Sequence, residues 1–259
     1  MSDLLHSISN NILTITLNRP DRLNALSNEM RETLLELLSQ QTEKPTVRAI
    51  VIRAEGRGFC TGADVQPDQI LARRGNIGEQ VEAGINRVIK LMTNLPIPVI
   101  AAVNGPSAGA GVSIALASDL MVVSSDAVFH VSFARIGAVL DGGGSWFLTR
   151  ALGPRRTASL ALTGGAFSAE EALLWGLAHK LTERETLWNE ADALANQLAS
   201  GPTTALGLIK KEIHAAATHD LATSLSLEAE CQQIAFNTED FAEAIDARQN
   251  KRVPAFTGR

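Results

Sequence analysis

One stretch constrains the fold of this chain more than any other: Asn104-Gly105-Pro106-Ser107-Ala108-Gly109-Ala110-Gly111-Val112-Ser113. It follows the apolar run Val99 to Val103, which reads as a buried strand. It precedes Ile114-Ala115-Leu116-Ala117, a small-residue run suited to a tightly packed helix. Small residues let a backbone approach a ligand closely, and the free N–H groups at a helix start attract an oxygen carrying negative charge. An N–H near Ala110 is therefore placed to polarise a carbonyl. A second turn of this kind lies upstream. Val47 to Arg53 reads as a strand, and Gly56-Arg57-Gly58-Phe59-Cys60-Thr61-Gly62-Ala63-Asp64 follows it. Its small neighbours expose the Ala63 N–H. Two such donors converging on one oxygen make an oxyanion hole, which stabilises an enolate or a tetrahedral anion.

The rest of the chain sets these turns in an α/β frame. Ile12 to Leu17 alternates as a strand. Ser27 is placed to cap a helix from about Asn28 to Gln41, with Met30, Leu34, Leu37 and Leu38 on one face. Ile77 to Thr93 has helical periodicity, and Leu120 to Val123 is a short buried strand. Strands and helices alternate to about residue 125, which favours an α/β fold. Beyond Gly142 the pattern is almost all helix. Ser168-Ala169-Glu170-Glu171 matches a capping box. Pro202 is placed as a first-turn proline of a helix to about Thr218, Asp220 caps another to about Phe236, and a last helix spans roughly Glu239 to Asn250. This divides the chain into a core over 1–200 and a helical region over 201–259.

In order and separation, the two turns resemble the crotonase superfamily, the enoyl-CoA hydratases and isomerases. The likeness runs from Leu17-Asn18-Arg19-Pro20-Asp21-Arg22-Leu23-Asn24-Ala25-Leu26 through both turns, Arg135-Ile136-Gly137 and Gly142-Gly143-Gly144-Ser145, to Trp175-Gly176-Leu177 and Lys251-Arg252-Val253-Pro254-Ala255-Phe256. It implies a spiral of β-β-α turns, with a C-terminal helical region that mediates trimer formation, as a trimer or a dimer of trimers. It also implies an acyl-CoA thioester substrate, with coenzyme A as part of the substrate and no separate cofactor or metal. Arg22, Ala25, Thr61 and Lys251 are the CoA-contacting positions it suggests, Lys251 acting from a neighbouring subunit.

Thioester enolate chemistry needs a group that moves protons as well as an oxyanion hole. Hydratases of the family use two glutamates. Here Ser113 and, by register from Gly142-Gly143, Phe133 occupy those positions. A serine hydroxyl alone is too weak a base, and phenylalanine cannot carry a proton. Asp141, just before the glycine turn, is the remaining carboxylate. Family members with an aspartate here are double-bond isomerases, where it shuttles protons, or 4-chlorobenzoyl-CoA dehalogenases, where it is a nucleophile. Asn86 and Phe133 stand where the dehalogenases carry histidine and tryptophan, which argues against dehalogenation. Three segments are similar to the phenylacetyl-type isomerases: Gly56-Arg57-Gly58-Phe59-Cys60, Ala108-Gly109-Ala110-Gly111, and the Asp141-Gly142 turn with Trp146 after it. The leading expectation is thus an acyl-CoA double-bond isomerase. A hydratase with non-standard residues and a non-catalytic CoA-binding or scaffold protein are the alternatives.

Other readings stay structural. An aspartate at a helix start is most often an N-cap. Asp64 ties down its loop, Asp119 and His130 are structural, and Cys60 is a small buried hydrophobe. Pocket-lining residues are expected from Gln66 to Gly78 and from the C-terminal helices. The 259 residues are 45% hydrophobic and carry a net charge of −5 without a basic run, which disfavours nucleic acid and anionic membranes. Two cysteines give neither a disulfide framework nor metal-ligand spacing. The first ten residues lack a signal-peptide pattern, so a cytoplasmic location is expected, although a matrix protein stripped of its presequence would read the same.

Overall fold

The computed structural model describes residues 2–64 and 74–259. Six strands form the main sheet: β1 (Leu4–Ser9), β2 (Ile12–Leu17), β3 (Ala49–Ala54), β4 (Val99–Val103), β6 (Leu120–Ser124) and β9 (Lys180–Thr182), adjacent in that order. Within this sheet only the β1–β2 pair is antiparallel. A second sheet contains β5 (Ser107–Ala108), β7 (Val128–His130) and β8 (Ala166–Ser168). From β3 to β7, each turn of the chain adds a strand to the main sheet, crosses to the small sheet and returns through a helix. Cys60, which bridges to Ser107, gives the small sheet its contribution from the first turn.

The helices are α1 (Asn28–Ser39), α2 (Ile77–Val81), α3 (Arg87–Asn94), α4 (Ala110–Ala117), α5 (Gly144–Thr163), α6 (Ala169–Leu174), α7 (Leu187–Ala199), α8 (Thr203–Ala216), α9 (Leu221–Phe236) and α10 (Glu239–Gln249). Local chemistry sets several of their starts. Ser27 accepts from the Met30 amide at 3.1 Å, and Ser168 and Glu171 complete a reciprocal capping box. Asp220 and Thr238 cap α9 and α10. Pro202 is the residue before α8 rather than its first, with extended backbone at ψ 90°. The periodic segment over Ile77–Thr93 is interrupted by a π-helical turn at Glu82–Asn86. The hairpin strand β1 has no sequence signal, because only Leu4 is buried along it and no apolar alternation results. Asn10 and Asn11, both at positive φ, make its two-residue turn.

Strand alternation distributes the core to the two faces of the main sheet. Ile50 and Ile52 join the large cluster with Met30, Leu34, Phe59 and Met92. Ala49 and Val51 face the other way, with Ile100, Ala102 and Val122, and α7 covers them. Ala191, Ala195 and Ala199 recur at four-residue spacing along α7, so this stripe presents only methyl groups to the sheet.

The helical region after residue 200 is anchored at the base of β4. A Cβ on Gly207 would stand 2.3 Å from the Pro96 carbonyl oxygen, so α8 touches backbone there. Three residues on, buried Lys210 reaches Asp119 at 2.8 Å and the carbonyls of Met92 at 2.8 Å and Ile97 at 3.3 Å. Desolvation pulls the Lys210 pKa down, and Asp119 opposes this. Asp119 also accepts the Val99 amide at 2.7 Å, a structural role. Among the described residues, no helix is long and apolar enough to cross a membrane. Removing one member of a buried pair leaves the other uncompensated. Lys210→Ala is accordingly expected to lower unfolding stability by about 3 kcal/mol in chemical denaturation.

Candidate active site

The two glycine turns lie directly on one another. The Phe59 amide donates to the Pro106 carbonyl at 3.0 Å, and the Ala108 amide donates to the Cys60 carbonyl at 2.9 Å. The fit depends on missing side chains. A Cβ on Gly111 would be 2.0 Å from the Cys60 oxygen, and one on Gly105 would be 2.1 Å from the Arg57 oxygen. Gly62, at φ +88°, lies so close to the second turn that a Cβ there would stand 3.3 Å from the Ala110 nitrogen. Residues 60 to 63 and 108 to 111 therefore form one surface. Cys60 is fully buried beneath it, and burial pushes its thiol up to about 12, so it is inert packing.

The two amides of interest face out of this ladder for different reasons. Ala63 bridges Leu26 in parallel: the Leu26 amide bonds to the Gly62 carbonyl at 2.7 Å and the Asp64 amide to the Leu26 carbonyl at 3.2 Å. In such a bridge the flanking residues make the bonds, and the Ala63 N–H points away. Ala110 opens α4 after Gly109, at φ 52° and ψ −127°, so its amide is among the four that a helix start leaves unpaired. Among the described residues, neither amide donates a hydrogen bond.

The loop from Arg19 to Leu26 is fastened beside the first turn. Leu23 and Asn24 adopt left-handed backbone, at φ 49° and 55°. Asn24 is fully buried and wholly satisfied: Oδ1 accepts the Arg19 amide at 2.7 Å, and Nδ2 donates to the Glu55 and Gly58 carbonyls at 2.9 and 2.8 Å. Thr61 donates its amide to the Leu23 carbonyl at 3.1 Å, while Arg19 holds Asp64 at 2.8 Å, so Asp64 ties down its loop. This places Arg22, Ala25 and Thr61 in one neighbourhood with Ala63. Lys251 instead follows α10 at φ 51° and makes none of the hydrogen bonds that hold this group. Arg184 joins the site from a distance that sequence reading does not bridge. Its guanidinium donates to the Asn104 carbonyl at 2.8 Å and the Gly56 carbonyl at 2.7 Å, joining the starts of the two turns. A lone arginine before a helix carries no local pattern that marks such a clamp.

Asp141 lies against α4 at Ser113. It does not cap α5, whose N-cap residue is Gly143. Its carbonyl accepts the Gly144 amide at 2.9 Å and the Ser113 hydroxyl at 2.9 Å. Its Oδ1 is buried without a hydrogen-bond partner among the described residues. Burial raises its pKa above the usual carboxylate range. The Phe133 ring reaches the second turn, since a Cβ on Gly109 would lie 3.7 Å from its Cζ. Asn86 bonds Glu82 at 2.8 Å and lines a cavity of about 510 Å³ with Ile89, Gly142, Gly143, Trp146, Phe147 and others. The part of the expected lining segment Gln66 to Gly78 that precedes Arg74 lies outside the described residues.

The comparisons agree with this architecture. A family model described as enoyl-CoA hydratase/isomerase matches residues 7–259. The 1,2-epoxyphenylacetyl-CoA isomerase of Escherichia coli (strain K12) is 39% identical, covering 100% of both chains. The trans-2-decenoyl-acyl-carrier-protein isomerase of Streptococcus mutans is 31% identical, over 99% of this chain and 98% of that one. A crystal structure of an enoyl-CoA hydratase from Polaromonas sp. JS666 matches with a TM-score of 0.90 at 32% identity, over 98% of this chain and 99% of that one. The chain belongs to the enoyl-CoA hydratase/isomerase family and has the crotonase fold. The relatives' names include both isomerase and hydratase.

The raised pKa of Asp141 has a stability consequence. Its stabilising contribution is complete below the unfolded carboxylate pKa and is lost as pH rises through the higher folded value. At neutral pH the buried carboxylate therefore opposes folding. Asp141→Asn is expected to raise the melting temperature at about pH 7, with the gain shrinking as pH falls toward the ordinary carboxylate range. Thermal melts of both proteins from about pH 4 to about pH 8 provide the check.

Proposed function

We propose that this protein is an acyl-CoA double-bond isomerase. The Ala63 and Ala110 amides receive the thioester oxygen, and Asp141 shuttles the proton. The observation that carries this reading is the buried Oδ1 of Asp141, unpartnered among the described residues, on the glycine turn beside α4, with Ser113 and Phe133 where water-activating glutamates would be needed. In the reaction, the Asp141 carboxylate takes a proton from C2 of a 3-enoyl thioester. The electron pair moves onto the thioester oxygen, where the two amides stabilise it. The resulting carboxylic acid then returns the proton to C4, and the double bond stands between C2 and C3. A raised pKa suits both halves of the cycle, because the group must hold the proton between them. The names of the two isomerase relatives support the same assignment.

Arg22, Ala25 and Thr61 are assigned to the CoA moiety because their loop is fastened beside Ala63. Lys251 is assigned to a neighbour's CoA site within a trimer, or a dimer of trimers. Exposed Ile209, Ile213, Leu221, Leu225 and Ile234 on α8 and α9 support such an assembly, since Ile213 and Leu221 alone are 67% and 75% exposed.

Asp141→Asn is expected to slow deuterium incorporation from solvent at the α-carbon by about 100-fold or more while CoA-ester binding persists. Mass spectrometry of the recovered thioester measures it, and unchanged exchange would remove Asp141 from the reaction. Hydration of crotonyl-CoA is expected to stay far below the ~10 per second of a typical enzyme. Sedimentation across a concentration series is expected to give trimers or hexamers, and an active monomer that binds CoA normally would contradict the assembly and the role of Lys251.

A further inference from the structure

Ser113 is buried at 1% exposure on α4, three residues after the Ala110 amide. Its hydroxyl donates to the main-chain carbonyl of Asp141 at 2.9 Å. The same carbonyl accepts the Gly144 amide at 2.9 Å, so both its lone pairs are engaged. The Asp141 Oδ1, in contrast, has no hydrogen bond to orient it among the described residues. The carboxylate is thus aimed by its backbone.

The turn also rests on Ser113 sterically. A Cβ on Gly142, at φ +53°, would stand 2.9 Å from the Ser113 Cβ, 3.2 Å from its Oγ and 3.1 Å from Ile85 Cγ1. A Cβ on Gly144 would lie 3.4 Å from the Ser113 Oγ.

We propose that Ser113 is a positioning residue for Asp141, fixing the backbone that carries the carboxylate relative to the Ala110 amide. The inference rests on the proton-shuttle reading of Asp141. One eight-residue helix then carries an oxyanion donor at its first residue and the anchor of the base one turn later. The distance between the thioester oxygen and the proton acceptor is set within that single rigid element. Such placement matters because a displacement of ~1 Å costs on the order of 100-fold in rate.

The test compares wild type, Ser113→Ala, Ser113→Cys and Asp141→Asn in solvent-deuterium exchange on a 3-enoyl-CoA, with rates expressed per CoA-ester-binding site. Ser113→Ala is expected to lower kcat by about tenfold or more and leave KM within about twofold, since it disturbs the base and not the thioester contacts. Ser113→Cys, which keeps a weaker donor, is expected to fall between the two. A role in folding alone would lower the number of competent sites and the melting temperature and leave kcat per site unchanged. That result, or a loss confined to KM, would overturn the proposal. If Ser113→Ala does not fold, the Ser113→Cys value decides: a lowered kcat supports the proposal and a wild-type kcat overturns it. Full exchange in Asp141→Asn would instead bring down the proton-shuttle reading itself, which separates the two failures.

Discussion

The site depends on the contact between the two glycine turns. The Cys60–Ser107 bridge and its flanking hydrogen bonds bring the first turn onto the second. The absence of side chains at Gly62, Gly105 and Gly111 permits that approach, since Cβ atoms at the last two would overlap carbonyl oxygens. Each turn contributes one of the two amides. Their juxtaposition puts an edge amide, left over from a parallel bridge, next to a helix-start amide, left over from helix geometry. Among the described residues both are polar groups without a hydrogen-bond acceptor, and an oxygen bearing negative charge is the partner that suits them.

The surrounding elements hold that contact still. The main sheet orders β3 and β4 side by side, so the turns that follow them leave from the same edge. Asn24 fastens the preceding loop to the carbonyls of Glu55 and Gly58, and Arg184 joins the starts of both turns. α4 then links the surface to Asp141 through Ser113. In the proposed reaction these links set the geometry of an enolate and its proton carrier before any substrate arrives, which is how preorganised dipoles accelerate a reaction.

Much of this was legible in the residues. The small-residue runs around Ala63 and Ala110 announce backbone approach, and capping at Ser27, Ser168 and Asp220 follows from residue type. Less was legible where position depends on distant chain. The β1 strand carries no buried alternation, and β5 and β7 are two and three residues long, too short for a periodic signal. Arg184, Asn24 and Lys210 act across long separations, and no local spacing marks their carbonyl partners. The handed spiral came from family likeness and not from periodicity, because strand alternation is the same in any parallel sheet. Ser113 was legible as a missing glutamate; its bond to the Asp141 carbonyl required the fold.

The central claim is that the Ala63 and Ala110 amides act together on one thioester oxygen. Isotope-edited infrared spectroscopy of a saturated acyl-CoA labelled with ¹³C at the thioester carbonyl tests it without turnover. The account predicts a carbonyl stretch shifted to lower frequency on binding, as two hydrogen bonds weaken the C=O bond, with the shift lost in Gly111→Ala. A bound thioester whose carbonyl stretch matches that in water, or a shift that survives Gly111→Ala unchanged in a folded protein, would contradict it.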